Sequence, residues 1–197
     1  PTSSIDDYYM SQSVRVIDSR TGEVTAEIDN EGKSGQIDWS PDGRRLALRA
    51  GRDRYDPIDG RILIADAEGG EPELIDSDYE GKYEQIAWVS DNEIHFIASQ
   101  SVWSVYGSIT PDGSRKEIHS EEGPVFTSFE TAGDGSVLFT ANSDQHPTEV
   151  YLLRQGEVDP ERLTRHNSWL EGVALGEQEV VSWESRDGEW ELDGIFI

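Results

Sequence analysis

Cysteine is absent from the 197 residues, which excludes disulfides, thiolate metal sites and a cysteine nucleophile. Lysine is nearly absent too: 3 lysines and 13 arginines stand against 41 acidic residues, for a net charge of −25. A field of that sign repels phosphate backbones and anionic headgroups, so neither nucleic acid nor membrane is expected as a partner. The acidic side chains suit solvated strand faces and loops, and a lysine-poor, acidic surface also suits a saline habitat. No apolar run approaches the roughly 18 residues of a membrane helix, and no signal-peptide pattern opens the chain. A soluble protein is expected, in either cytoplasm or periplasm. Pro1 in place of a methionine, and an end at Ile197 inside an apolar strand, make the chain read as a piece of a longer one. That leaves room for a removed leader.

No stretch shows a sustained 3.6-residue apolar period; what recurs is a hairpin. VRVIDSRTGEVTAEI from Val14, ILIADAEGGEPELI from Ile62, WSVYGSITPDGSRKEI from Trp103 and VYLLRQGEVDPERL from Val150 share one pattern. Each is an alternating strand, a glycine-bearing turn and a second strand. The turn glycines Gly22, Gly70, Gly113 and Gly156 fall 48, 43 and 43 residues apart. A second hairpin set lies between them, at 37–48, 86–97 and 128–139, with turn residues Asp42, Asp91 and Asp134 spaced by 49 and 43. Two hairpins per period make four strands per unit, which is a propeller blade. The expected fold is all-β: a partial β-propeller of about three and a half four-stranded antiparallel blades. Residues 1–165 form its arc, with blades at about 13–28 (partial), 35–76, 83–120 and 123–165, and residues 1–12 read as an entry segment. Propellers close with typically four to eight blades, so this arc is expected to be the C-terminal part of a larger ring.

Long loops on a rigid scaffold are where binding tends to reside. Residues 50–60 and 140–149 read as the long loops, and the middle blade has only the short Ser99-Gln100-Ser101 there. Arg52 and Arg54 in the first loop are the candidate substrate-binding residues, because a guanidinium meets a peptide carboxylate through paired hydrogen bonds. The plainer alternative is that they balance the acidic loop around them. Asp53, Asp56 and Asp59 lack the alternation and distal glutamate of a calcium loop. His95, His119, His146 and His166 lack ligand spacing, so no metal site and no cofactor is expected. Gly32-Lys33-Ser34 copies the end of a phosphate-binding loop, but Glu27 stands where the first glycine belongs and no helix follows. Trp39 and Trp88, one repeat apart on inner strands, read as packing residues.

From His166 the blade pattern stops. Arg162 to Leu170 (RLTRHNSWL) and Glu179 to Ile197 (EVVSWESRDGEWELDGIFI) resemble the crossover of the prolyl oligopeptidase family, in its acylaminoacyl-peptidase and dipeptidyl-aminopeptidase branch. Leu163, Thr164, Asn167, Trp169, Leu170, Trp183, Ser185, Asp187, Gly188 and Gly194 match that pattern, with one extra residue between Gly188 and Leu192. The SPDGRRLA stretch from Ser40 is shared with TolB-like propellers generally. The resemblance implies that residues 166–197 are a linker and the first β-hairpin of an α/β-hydrolase domain, the remainder of which is missing here. It also implies a serine peptidase acting on short peptides, whose propeller gates the hydrolase site. The family's nucleophile lies in a G-x-S-x-G elbow, and no such run occurs in this chain. No catalytic residue is therefore assigned, and the chain alone should be inactive. The rival reading is a TolB-like, non-enzymatic propeller that binds protein partners on its loop face. A propeller enzyme with an axial metal is a third, disfavoured by the lack of ligand sets.

Overall fold

The computed structural model describes residues 12–119 and 123–197; the expected entry segment lies, but for Gln12, outside the described residues. Strands β1 (Val14–Ile17) and β2 (Val24–Ile28) form an antiparallel pair with Val14 opposite Ile28. Three four-stranded sheets follow, each in chain order. They are β3 (Ser34–Trp39), β4 (Arg45–Ala50), β5 (Arg61–Asp66), β6 (Glu73–Leu74); then β7 (Lys82–Ser90), β8 (Glu93–Gln100), β9 (Trp103–Ile109), β10 (Arg115–His119); then β11 (Val125–Thr131), β12 (Val137–Ser143), β13 (His146–Leu153), β14 (Glu161–Arg162). A last hairpin pairs β15 (Glu179–Glu184) with β16 (Glu191–Phe196). Among the described residues the helical content is one 3-10 turn at Ser168–Gly172, and no helix is long and apolar enough to cross a membrane. Three four-stranded meanders and a half make the fold all-β, a partial β-propeller.

Aspartates set the turns. The Oδ1 of Asp18, Asp42, Asp112, Asp134 and Asp187 each accepts the amide two residues on, at 2.7 to 3.2 Å. This Asx geometry is why Asp punctuates these turns, and after Asp42, Asp112, Asp134 and Asp187 the next residue is a Gly at positive φ. All five carboxyls lie below the ordinary aspartate range; for Asp42, Asp112 and Asp187 the largest cause is the hydroxyl of Ser40, Thr110 or Ser185, and for Asp18 and Asp134 it is the amide bond.

The chain divides into two compact units: residues up to 96 together with 107–116, and 97–106 together with 117–197. In the first, Val14 and Ile28 of the half blade join Leu46, Leu48, Ala50, Leu63 and Ala65 in one core. The inner strands β3 and β7 of the first two blades belong to separate sheets and are stitched instead by side chains. Gln36 Nε2 donates to the Ile86 carbonyl at 2.6 Å, and its Oε1 accepts the Ile86 amide at 2.9 Å. Asp38 Oδ2 accepts the Trp88 amide at 2.7 Å, and Asp91 Oδ1 accepts the Asp42 amide at 2.9 Å. Trp88 is buried beneath the Arg45 guanidinium, 5.2 Å from its ring centroid. Trp39 departs from the expected packing role and is 46% exposed. Its side chain lies on the face of β3 where the neighbouring Ile37 is also exposed. Further out, the Asp76 carboxylate receives both the Tyr83 hydroxyl and the Arg115 guanidinium. Burial, then that carboxylate, pushes the Tyr83 phenol upward.

The second unit is built on aromatics. Tyr106 stands edge-on to Phe139 at 4.9 Å, and Phe126 lies 4.5 Å from Phe139 between centroids. The inner-strand amide of Phe126 is taken by Ser104 Oγ at 3.1 Å, again a side chain closing a strand edge.

Replacing Gln36 with alanine strips both partners from the Ile86 peptide units. Urea unfolding of the Gln36→Ala chain should show a loss of about 1–3 kcal/mol with an unchanged denaturant slope.

Candidate functional site

The loop between β4 and β5 is built by its own acids. Asp53 Oδ1 accepts the amides of Tyr55 and Asp56 at 2.7 and 3.1 Å. Asp56 accepts the amides of Arg52 and Ile58 at 3.0 and 3.1 Å, and Asp59 pairs with Arg49 at 3.2 Å. Lys33 Nζ reaches the Pro57 carbonyl at 2.6 Å. Gly32, at φ +99°, passes so close that a Cβ there would overlap the Asp53 carbonyl. These commitments account for both the acidic run and the Gly-Lys-Ser run. Arg52 and Arg54 are both exposed on this loop. Arg52 Nη2 donates to the Ser77 carbonyl at 3.0 Å. Arg54 lies over the ring of Tyr55, 5.5 Å from its centroid, and Tyr55 is 82% exposed. The two arginines therefore share a loop but point to different partners.

The second expected loop, 140–149, is a correction: it is mostly strand. β12 runs to Ser143 and β13 starts at His146, with Ser143 opposite His146 across a tight turn at 144–145. Ser, Asn, Asp and Pro gave this stretch the composition of a loop. The register shifts between Ala141 and Ser143, and Pro147 falls in the skipped part of the ladder, where no amide is needed.

That extension places Glu149 on the inward face with Tyr151 and Leu153. Its carboxylate has no exposed surface. It receives the Thr164 hydroxyl, the His166 amide at 2.8 Å, the His166 Nδ1 at 3.1 Å and Arg162 Nη2 at 3.2 Å. The Thr164 bond does most to hold this carboxyl down at about 2, joined by the His166 ring and the amides of His166 and Asn167, while burial opposes them. Glu149 thus gathers four residues of the crossover-like segment 162–170, Arg162, Thr164, His166 and Asn167, of which Thr164 and Asn167 are among those that match the family pattern. Sequence reading missed Glu149, although its place two residues before Tyr151 and four before Leu153 put it in the inward register.

Beyond the crossover, β15 and β16 roof a cleft of about 290 Å³. Val180 and Ile195 face Val102, Trp103 and Val125 across it, with Asp144 and Glu179 among its polar lining. Asp193 of β16 accepts hydroxyls from Ser182 at 2.6 Å and from Ser101. The histidines are dispersed: His119 Nδ1 meets the Val158 carbonyl at 3.0 Å, His146 Nε2 meets the Tyr151 hydroxyl at 2.7 Å, and burial holds His95 below the usual histidine range. Among the described residues no group of three or more His, Asp or Glu side chains could hold a metal ion.

Because the Glu149 carboxyl titrates lower in the folded chain than its ordinary 4.5, its stabilisation is complete above that value and is lost as pH falls toward about 2. Acid unfolding followed by circular dichroism should show this component between about pH 4.5 and 2, and Glu149→Gln should lack it.

No family model matches the sequence, and no curated protein does. Solved structures do match. An acylaminoacyl peptidase from Pyrococcus horikoshii superposes with a TM-score of 0.66 at 20% identity, over 93% of this chain and 30% of its own. An oligogalacturonate lyase, solved with manganese, gives 0.65 at 19% over 81% and 44%. A putative TolB from Agrobacterium tumefaciens gives 0.56 at 17% over 71% and 50%. The chain spans half the length of these proteins or less. Peptidases of the prolyl oligopeptidase family thus stand among its structural neighbours, and at these identities the likeness is one of fold: the chain is an arc of a β-propeller of the kind they share.

Proposed function

We propose that this chain is the non-catalytic propeller portion of a serine peptidase acting on short peptides, gating access to an α/β-hydrolase domain that the chain does not contain. The observation that carries this reading is the hairpin β15–β16. It forms a sheet of its own outside the blade meanders. It also holds Val180, Val181, Trp183, Leu192, Ile195 and Phe196 between 37% and 66% exposed. A finished blade strand pair buries such residues; the first strands of a further domain wait for cover. In this reading residues 166–178 are the linker, and the propeller contributes steric exclusion and desolvation while the chemistry comes from the hydrolase. Arg52 and Arg54 are the residues we assign to the peptide's carboxylate, Arg54 being the more available of the two.

Labelling with a fluorophosphonate probe tests the reading. The 1–197 chain should take no label and hydrolyse no peptidyl ester, because it lacks an activated nucleophile. The product of the full coding region should be labelled at one serine outside residues 1–197 and cleave short peptides. A label within residues 1–197 would overturn it. So would a full product with no labelled serine that instead retains a protein partner, which is the TolB-like outcome.

In that full product, Arg52→Ala with Arg54→Ala should raise KM for peptides with a free C-terminus roughly fivefold and leave kcat unchanged, as removal of uniform binding does. Steady-state kinetics on free and amidated peptides would check it.

A further inference from the structure

The last blade closes on an incomplete ladder. Its outer strand β14 has two residues, with Tyr151 opposite Arg162 and Leu152 opposite Glu161. One more backbone bond follows, from the Leu163 amide to the Val150 carbonyl at 2.8 Å. The Val150 amide then finds the Thr164 hydroxyl oxygen at 2.9 Å in place of a carbonyl. That same hydroxyl passes its hydrogen to Glu149. From there the exit segment is held by one carboxylate, which collects Arg162, Thr164 and both the amide and ring of His166. From Leu163 to the C-terminus no residue is buried, so apolar packing contributes little to holding this segment. The hairpin beyond meets the blades at Ser101, through Asp193, and over the cleft.

We propose that Glu149 is a release latch. Its carboxylate keeps residues 162–167 on the last blade, and loss of that hold lets the exit segment and the β15–β16 hairpin lift from the cleft while the blade sheets stay folded. A carboxylate suits this task because it accepts several charge-assisted bonds at a single point, so removing one group releases them together. A backbone ladder would release one residue at a time. Local openings of this kind draw on segments with few buried apolar contacts, which describes residues 163–197. Access to the cleft between Trp103 and Ile195 then depends on the latch. The latch is independent of whether the complete protein is a peptidase, since it rests on contacts within this chain.

Hydrogen exchange followed by mass spectrometry on the whole chain tests it. Glu149→Gln keeps the side-chain shape but turns one acceptor into a donor facing donors. It should speed exchange roughly tenfold or more at amides of 164–170 and 179–184 and at Val150, whose amide rests on Thr164, leaving β11, β12 and the rest of β13 unchanged. Unchanged exchange everywhere would overturn the proposal. So would equal loss of protection in β12 and β13, which would make Glu149 an ordinary stability residue. Should Glu149→Gln fail to fold, Thr164→Val decides: a smaller rise confined to Val150 and 163–196 supports the latch, and no rise beyond Val150 sinks it. Ser101→Ala should loosen only the hairpin; if it also frees residues 164–167, the hold comes from the hairpin and the latch is refuted.

Discussion

Everything in this structure depends on how the bare edge of each inner strand is closed. A meander of four strands satisfies its internal ladder and leaves one edge of its first strand with unpaired amides and carbonyls, which is costly if buried and hazardous if exposed. Here a side chain from the preceding blade does the closing. Gln36 clamps both polar groups of Ile86, Asp38 takes the amide of Trp88, and Ser104 takes the amide of Phe126. Seams of this type join strands of neighbouring sheets while leaving the sheets separate.

Much of the fold was legible because its punctuation is chemical. Asp42, Asp112 and Asp134 are needed where they stand, since their carboxylates bond the turn amides and the glycine after each takes positive φ. The period of 43 to 49 residues runs through two sets of turns, Gly22, Gly70, Gly113 and Gly156 in one and Asp42, Asp91 and Asp134 in the other. The seams were not legible. Gln36 reads as one polar residue in an alternating strand, and its partner Ile86 lies 50 residues away. Trp39 was misread for a related reason: period-2 alternation says which residues share a face, but not that the face of β3 bearing Ile37 and Trp39 is open.

The candidate sites divide in the same way. The loop 50–60 was visible as a loop from its glycines, proline and charges, yet only in the folded chain are Asp53, Asp56 and Asp59 seen to be spent on loop amides and Arg49. Composition misled at 140–149, where Ser, Asn, Asp and Pro suggest a loop and the chain forms strands. Glu149 went unnoticed within that misreading. Once the strand is granted, a glutamate in the inward register must find donors, and the crossover residues Thr164 and His166 supply them. Thr164, one of the residues that match the family pattern, thus acquires a physical reason to be there.

The seams also impose an order on synthesis. Every sheet joins strands consecutive in the chain, so each can assemble soon after its own segment leaves the ribosome. The Gln36 seam spans 50 residues and cannot close until β7 has been made. Between those moments the nascent blade carries an open edge and an unengaged glutamine. A polar, heavily acidic chain is well suited to that interval, because like-charged segments on neighbouring ribosomes repel one another before their edges can pair.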